Sequence, residues 1–140
     1  MAGNDVVSRL SRVPIFSGCG PKELRAIAKG ARLVDHRADT VIAREGDPGI
    51  GLFVILEGKA KVTVGGVTRN KLGPGDFFGE IALLDGGPRT ATVTAETDVK
   101  LFGLTEWAFR GLVMEHPSIA LKTLQAMAAR LRNATKTATS

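Results

Sequence analysis

Between residues 33 and 104 the chain is cut into short apolar segments by turns, and this rhythm constrains the fold more than any other feature. The turns are Glu45-Gly46-Asp47-Pro48-Gly49, Glu57-Gly58, Gly65-Gly66, Gly73-Pro74-Gly75-Asp76, Asp85-Gly86-Gly87-Pro88 and Thr97-Asp98. They recur at roughly 8–12 residue intervals, the spacing of an all-β sandwich or barrel. Ala60, Val62 and Val64 alternate with Lys59, Lys61 and Thr63. Gly65-Gly66 then supplies a two-residue hairpin turn into residues 67–72. Ala91, Val93 and Ala95 alternate with Thr90, Thr92 and Thr94. Such strands carry one buried and one wet face.

Helical patterns flank this region. Val6, Val7 and Leu10 fit one helical face. After a turn at residues 17–21, with Pro21 suited to a first helical position, Leu24, Ile27, Ala28 and Ala31 recur at i, i+3, i+4 and i+7. Gly30 is a plausible stop. Thr105 can cap a short helix through Met114, and Pro117 opens a longer one. On the longer helix Leu124, Met127, Ala128 and Leu131 form a stripe. The first expectation is that this stripe packs against the sheet. The alternative is a seam for a partner helix, or a lid over a site. Residues 134–140, small and polar, read as a soft tail.

A chain of 140 residues suits one domain with its own core. One cysteine, Cys19, excludes an internal disulfide and a cysteine-based zinc site, and fits a reducing compartment. The longest apolar run, residues 52–56, is far short of a membrane span, and residues 1–10 lack a signal-peptide pattern. A cytoplasmic protein is expected. Lys+Arg 19 against Asp+Glu 14 gives +5, but no segment concentrates the charge, and 5% aromatics with no Tyr argue against a nucleic-acid surface. His36 and His116 stand apart at no metal-ligand spacing, so no metal is expected. Neither a Gly-x-Ser-x-Gly elbow nor a phosphate-loop lysine motif is present, and no catalysis is expected.

Residues 75–93 depart from ordinary strand pattern. Strand signals stop at Phe78, and residues 79–84 read as one helical turn inside a β region. Such a turn presents unpaired N–H groups, and Gly79, lacking a side chain, lets an anion approach them. Arg89 follows a Gly-Gly-Pro turn that can fold it back beside that helix, where its guanidinium suits a two-point grip on phosphate. Glu80 makes sense if it accepts a hydrogen bond from a sugar hydroxyl beside the phosphate. Val62 and Leu72 offer an apolar wall for a base.

Phe-Gly-Glu-Ile-Ala-Leu-Leu at 78–84, followed by Pro-Arg-Thr-Ala-Thr-Val at 88–93, resembles the phosphate-binding cassette of cyclic-nucleotide-binding domains. These occur in catabolite activator proteins, kinase regulatory subunits and nucleotide-gated channels. The resemblance covers nearly the whole chain. It implies a mainly β fold: an antiparallel jelly roll, or double-stranded β-helix, with N-terminal helices (1–32), a roll (33–104) containing the cassette (77–93), and hinge and lid helices (105–133). It implies backbone N–H donors at Gly79 and Ala82, Glu80 on the 2′-hydroxyl, Arg89 on the cyclic phosphate, and Thr90 at the phosphate or a guanine edge, with Ile81 also among the ligand-binding residues. Val62 and Leu72 would line the base. The regulatory ligand implied is cAMP, ahead of cGMP. With no DNA-binding domain within these residues, a free-standing sensor is expected, one that signals to an effector protein or by self-association through its C-terminal helices. The contrary reading is an interaction protein with a degenerate, empty pocket.

Overall fold

The computed structural model describes residues 2–48, 51–85 and 87–139, with side chains at 6–48, 51–79, 83–85 and 87–133. The chain divides into a helical unit, Met1–Lys29 with Arg110–Ser140, and a β unit, Gly30–Phe109.

The β unit contains eight strands: β1 (Arg32–His36), β2 (Val41–Ala43), β3 (Gly51–Glu57), β4 (Ala60–Val64), β5 (Val67–Leu72), β6 (Phe77–Phe78), β7 (Thr92–Ala95) and β8 (Val99–Thr105). They form two four-stranded sheets, ordered β1-β8-β3-β6 and β2-β7-β4-β5, with every pairing antiparallel. The chain switches sheets repeatedly as it advances, which makes this a jelly roll. A helix of six residues, α3 (Glu80–Asp85), interrupts the β region between β6 and β7, where the sequence pattern places it.

The apolar alternation explains the core. Ile55 and Leu101 face Ala43, Ala60, Leu72, Val93 and Ala95 in one buried cluster. Ile55, Leu101, Ala60 and Ala95 are all fully buried. Each buried Ile or Leu contributes about 1.5–3 kcal/mol. Strand β3 is covered on both faces, so its run from Leu52 to Leu56 is continuously apolar rather than alternating. The Gly65-Gly66 turn carries positive φ at both residues, as a tight hairpin between right-twisted strands requires. Strand β5 is an edge whose residues are exposed up to Leu72. Its register slips at Arg69: Thr63 pairs with Thr68 and Val62 with Asn70, leaving Arg69 as the extra residue of a bulge.

The helical unit contains α1 (Ala2–Leu10), a 3₁₀ turn (Pro14–Phe16), α2 (Pro21–Gly30) and α5 (Pro117–Thr139). Helix α4 (Glu106–Glu115) runs from one unit into the other, and the Thr105 hydroxyl caps it by accepting the Ala108 N–H at 3.1 Å. The 3₁₀ turn carries no periodic signal, yet it buries Ile15 and Phe16, and α5 packs on it.

Helix α5 turns inward Ile119 and Thr123, both buried, and leaves Leu124 and Leu131 67% and 69% exposed. The stripe of Leu124, Met127, Ala128 and Leu131 therefore does not pack into a core: the helix is seated by its other side. Periodicity defines a stripe but not what covers it, and here the shorter Ile119–Thr123 face fills the inward position. The helix also runs to Thr139, through residues that read as a soft tail, since no Gly or Pro stops it. The Thr123 hydroxyl has no hydrogen-bond partner at its buried position.

One carboxylate ties α5 to α2. Glu23 accepts the Gly20 N–H at 2.8 Å, closing the first turn of α2, and also accepts the Lys122 ammonium at 2.6 Å and the Ser118 hydroxyl. These bonds hold its carboxyl at about 2, below the ordinary 4.5, with the Lys122 hydrogen bond the largest cause. Lys122 is thus engaged with a carboxylate rather than left as a solvated helix charge. Cys19 lies close by; burial first and the Glu23 charge second push its thiol up, which disfavours the thiolate.

A carboxyl depressed on folding stabilises the native state above its unfolded pKa, and that contribution is lost as pH falls toward the folded value. Denaturant unfolding of Glu23→Gln should therefore show lower stability than the parent at pH 7. It should also show a shallower loss between about 4.5 and 2. Identical pH profiles for the two proteins would place the acid sensitivity elsewhere.

Candidate functional site

The site is built where β6 gives way to α3. Gly79 sits at that junction with φ of 87°, and its carbonyl accepts the Leu83 N–H at 3.1 Å to start the helix. A Cβ at this position would collide with the Arg89 guanidinium and the Gly51 carbonyl oxygen. Only glycine satisfies both the left-handed backbone and the close approach. The first N–H groups of α3, which lack intrahelical acceptors, follow directly. Of Glu80, Ile81 and Ala82 the structure describes the backbone alone, as the first residues of α3; the positions proposed for the Glu80 side chain lie outside what is described.

Arg89 is brought to Gly79 by pairings far away in sequence. Its N–H donates to the Asp47 carbonyl and its own carbonyl accepts the Gly46 N–H, both at 2.8 Å. A bridge between Pro48 and Pro88 adjoins them. The Asp85 carboxylate accepts the Gly87 N–H at 2.7 Å and shapes the loop before Arg89. The result is an arginine only 9% exposed, not a solvated surface charge. Its Nη2 donates to the Gly51 carbonyl at 2.9 Å. Its guanidinium carbon lies 5.7 Å from the centroid of the Phe53 ring, close enough for cation–π attraction. Phe53 in turn stacks on Phe78 with ring centroids 5.3 Å apart. The cation is thus fixed by a carbonyl on one side and an aromatic ring on another.

A cavity of about 560 Å³ opens here within the β unit. Gly79, Arg89 and Thr90 line one part of it, and Ala43, Val62, Leu72 and Val93 line an apolar part. The volume falls in the range of small-molecule sites. Five residues singled out from sequence, Gly79, Arg89, Thr90, Val62 and Leu72, therefore share one cavity. Asn70 and Phe78 also line the cavity, and Gly51 and Phe53 contact Arg89; Phe78 falls within the motif read from sequence, whereas Gly51, Phe53 and Asn70 were given no part in the site. Among the described residues no group of three His, Cys, Asp or Glu is placed to hold a metal ion. No described helix is long and apolar enough to cross a membrane.

A fixed guanidinium facing a side-chain-free helix start can hold an anion, and the adjoining apolar wall can hold a flat ring. The 128 aligned residues of the CRP-like cAMP-activated global transcriptional regulator of Mycobacterium tuberculosis are 33% identical, covering 88% of this chain and 57% of the regulator. The N-terminal domain of a transcriptional regulator from Streptomyces coelicolor superposes with a TM-score of 0.86 at 32% identity, covering 91% of this chain and 95% of that one. The regulatory domain of Toxoplasma gondii PKA, solved with cAMP, gives a TM-score of 0.72 at 30% identity over 79% of this chain and 44% of that one. The chain spans less than two thirds of the length of the curated relatives it matches. The profile described as Cyclic nucleotide-binding domain matches residues 33–116, more than half of the sequence, and the chain belongs to that family.

Proposed function

We propose that this chain is a regulatory module that holds cAMP in preference to cGMP in the cavity beside Gly79 and releases it unchanged. The buried Arg89, aimed into a small-molecule cavity beside a glycine-started helix, carries the reading. The cAMP preference is supported by the names of two relatives, a cAMP-activated regulator and a kinase regulatory domain solved with cAMP. In this reading Arg89 grips the cyclic phosphate from one side, and the N–H groups of Gly79, Ile81 and Ala82 grip it from the other. Glu80 accepts the ribose 2′-hydroxyl, Thr90 contacts the phosphate or base, and Val62 and Leu72 flank the base. Charge-assisted bonds of this kind contribute about 1.5–3 kcal/mol each.

Ligand would shift α4 as hinge and residues 117–133 of α5 as lid, by its differential affinity for the two arrangements. Output would pass through the exposed face of α5. Leu121, Leu124, Ala128 and Leu131 recur there at i, i+3, i+7 and i+10, the a/d spacing of a coiled coil, and all four are exposed. A second copy of the same helix fits that seam. A cytoplasmic setting is consistent with the one free thiol, Cys19.

Calorimetric titration with cAMP tests the site. Arg89→Ala should weaken binding about 30-fold or more, the loss expected for about 2 kcal/mol. Arg89→Lys, which keeps the charge and loses the fork, should fall between, with circular dichroism confirming that both fold. Affinity at the parent level in either folded variant would overturn the assignment. Light scattering tests the output. The parent should form dimers that Leu124→Glu with Leu131→Glu converts to monomers, and an unchanged mass for the two proteins would exclude the α5 seam.

A further inference from the structure

Residues 58–75 hold Lys59, Lys61, Arg69 and Lys71 and no Asp or Glu, whereas the rest of the chain sets 15 Lys and Arg against 14 Asp and Glu. Nearly all of the +5 therefore sits on the β4–β5 hairpin, which corrects the expectation that no segment concentrates the charge. Neutral residues separate the four along the chain, so no run marks them; strand pairing gathers them. Lys61 stands directly opposite Lys71 across the β4–β5 ladder. Ala60, Leu72, Val93 and Ala95 lie in the core, so the alternation turns Lys61, Lys71 and Thr94 to the outer face of the sheet. In the next row of that face, Thr63 pairs with Thr92 on one side and Thr68 on the other. Arg69, the bulged residue, is exposed on the same edge strand as Lys71.

Like charges directly opposite each other weaken a sheet. The fold does little to offset this. Lys71 lies 3.5 Å from Glu96 yet stays 70% exposed, and a pair so open to water contributes little. Among the described residues, neither Lys61 nor Arg69 has an ion-pair partner. Lysine and a bulge on an edge strand keep stray strands from adding to it. That accounts for Arg69 and Lys71 but not for Lys61, because β4 lies inside the sheet between β7 and β5. A partly exposed cation kept there against repulsion is available to something outside the fold.

The face also selects its occupant. Carboxylates answer its cations, and the hydroxyls of Thr63, Thr68, Thr92 and Thr94 can donate to the remaining carboxylate oxygens. No aromatic side chain stands on β2, β4, β5 or β7, so the bases of a nucleic acid find nothing to stack on. Hydroxyls rather than apolar side chains flank the lysine pair, so this row gives a bilayer nothing to bury. We propose that the outer face of the sheet β2-β7-β4-β5 is a docking surface for an acidic segment of a partner protein, with Lys61, Arg69 and Lys71 as its contact cations. Val62, Leu72 and Val93 line the cavity from the inner face of the same sheet, so the docking surface is the reverse of the cavity wall. The proposal does not rest on what the cavity holds.

The test is fluorescence anisotropy of the full chain with a labelled peptide of alternating Glu and Thr, beside the same peptide with Gln in place of Glu and a single-stranded DNA oligonucleotide. Co-sedimentation with phosphatidylserine vesicles completes the set. Two triple variants remove equal charge: Lys61→Glu, Arg69→Glu and Lys71→Glu on the sheet, and Lys22→Glu, Arg25→Glu and Lys29→Glu at exposed positions of α2. Circular dichroism checks that both fold. The parent should hold the Glu peptide more tightly than the Gln peptide, the DNA or the vesicles. The sheet variant should lose about tenfold or more in affinity for the Glu peptide, and the α2 variant less than about threefold. Equal loss in the two variants would reduce the effect to net charge and overturn the proposal. So would a parent that does not bind the Glu peptide, or that binds DNA or vesicles more tightly. Should the sheet variant fail to fold, amide shifts of the parent on adding the Glu peptide decide the matter: they should centre on β4, β5 and β7, and shifts confined to other elements would overturn it.

Discussion

A guanidinium withdrawn from water is costly unless its surroundings replace the lost hydration. Arg89 meets that condition through the Gly51 carbonyl and the Phe53 ring, and each of these imposes a demand on the fold. Gly51 opens β3, so the central strand of one sheet must end where the cation can reach its first carbonyl. Phe53 must present its ring to the cation while it stacks on Phe78 and packs against the core. Gly79 must lack a side chain, because the guanidinium and the same carbonyl occupy the space a Cβ would need. Strand start, aromatic face and glycine junction are thus conditions of a single buried charge.

The same constraint explains why the cavity has two characters. In the proposed reading, a cation fixed at one end would meet an anion at a reduced ordering cost. The apolar end is the continuation of the roll's own core, since Ala43, Leu72 and Val93 belong to both. Thus the apolar end of the pocket is lined by residues of the sheet β2-β7-β4-β5 that also pack in the core. The polar end is made by loops, and the apolar end by strands.

Much of this was legible because the relevant signals are local. The turns at 65–66 and 73–76, the alternation at 60–64 and 91–95, and the helical turn after Phe78 each declare themselves within a few residues, and each is found where expected. The proximity of Arg89 to Gly79 was readable from the Gly-Gly-Pro turn between them. What stayed hidden depends on distant partners. The Phe53 side chain is chemically a core residue until Arg89 is laid over it. The Arg69 bulge leaves no mark in the alternation of Val62 and Val64. The 3₁₀ turn at Pro14–Phe16 is too short for periodicity to register. The stripe on α5 was visible while its exposure was not, because amphipathicity reports two faces without saying which one is covered.

The route by which Arg89 is anchored has a kinetic corollary. Its main chain is held by Gly46 and Asp47, and its side chain by Gly51, 38 residues back along the chain. Closing such loops is entropically expensive until the strands between them have paired. The placement of Arg89 beside Gly79 therefore cannot exist in a partly folded β unit and arises only late, when the roll is nearly complete. In the proposed reading, an occupant held there would act as a cross-link between segments remote in sequence and would slow the unravelling of the whole roll rather than of one loop.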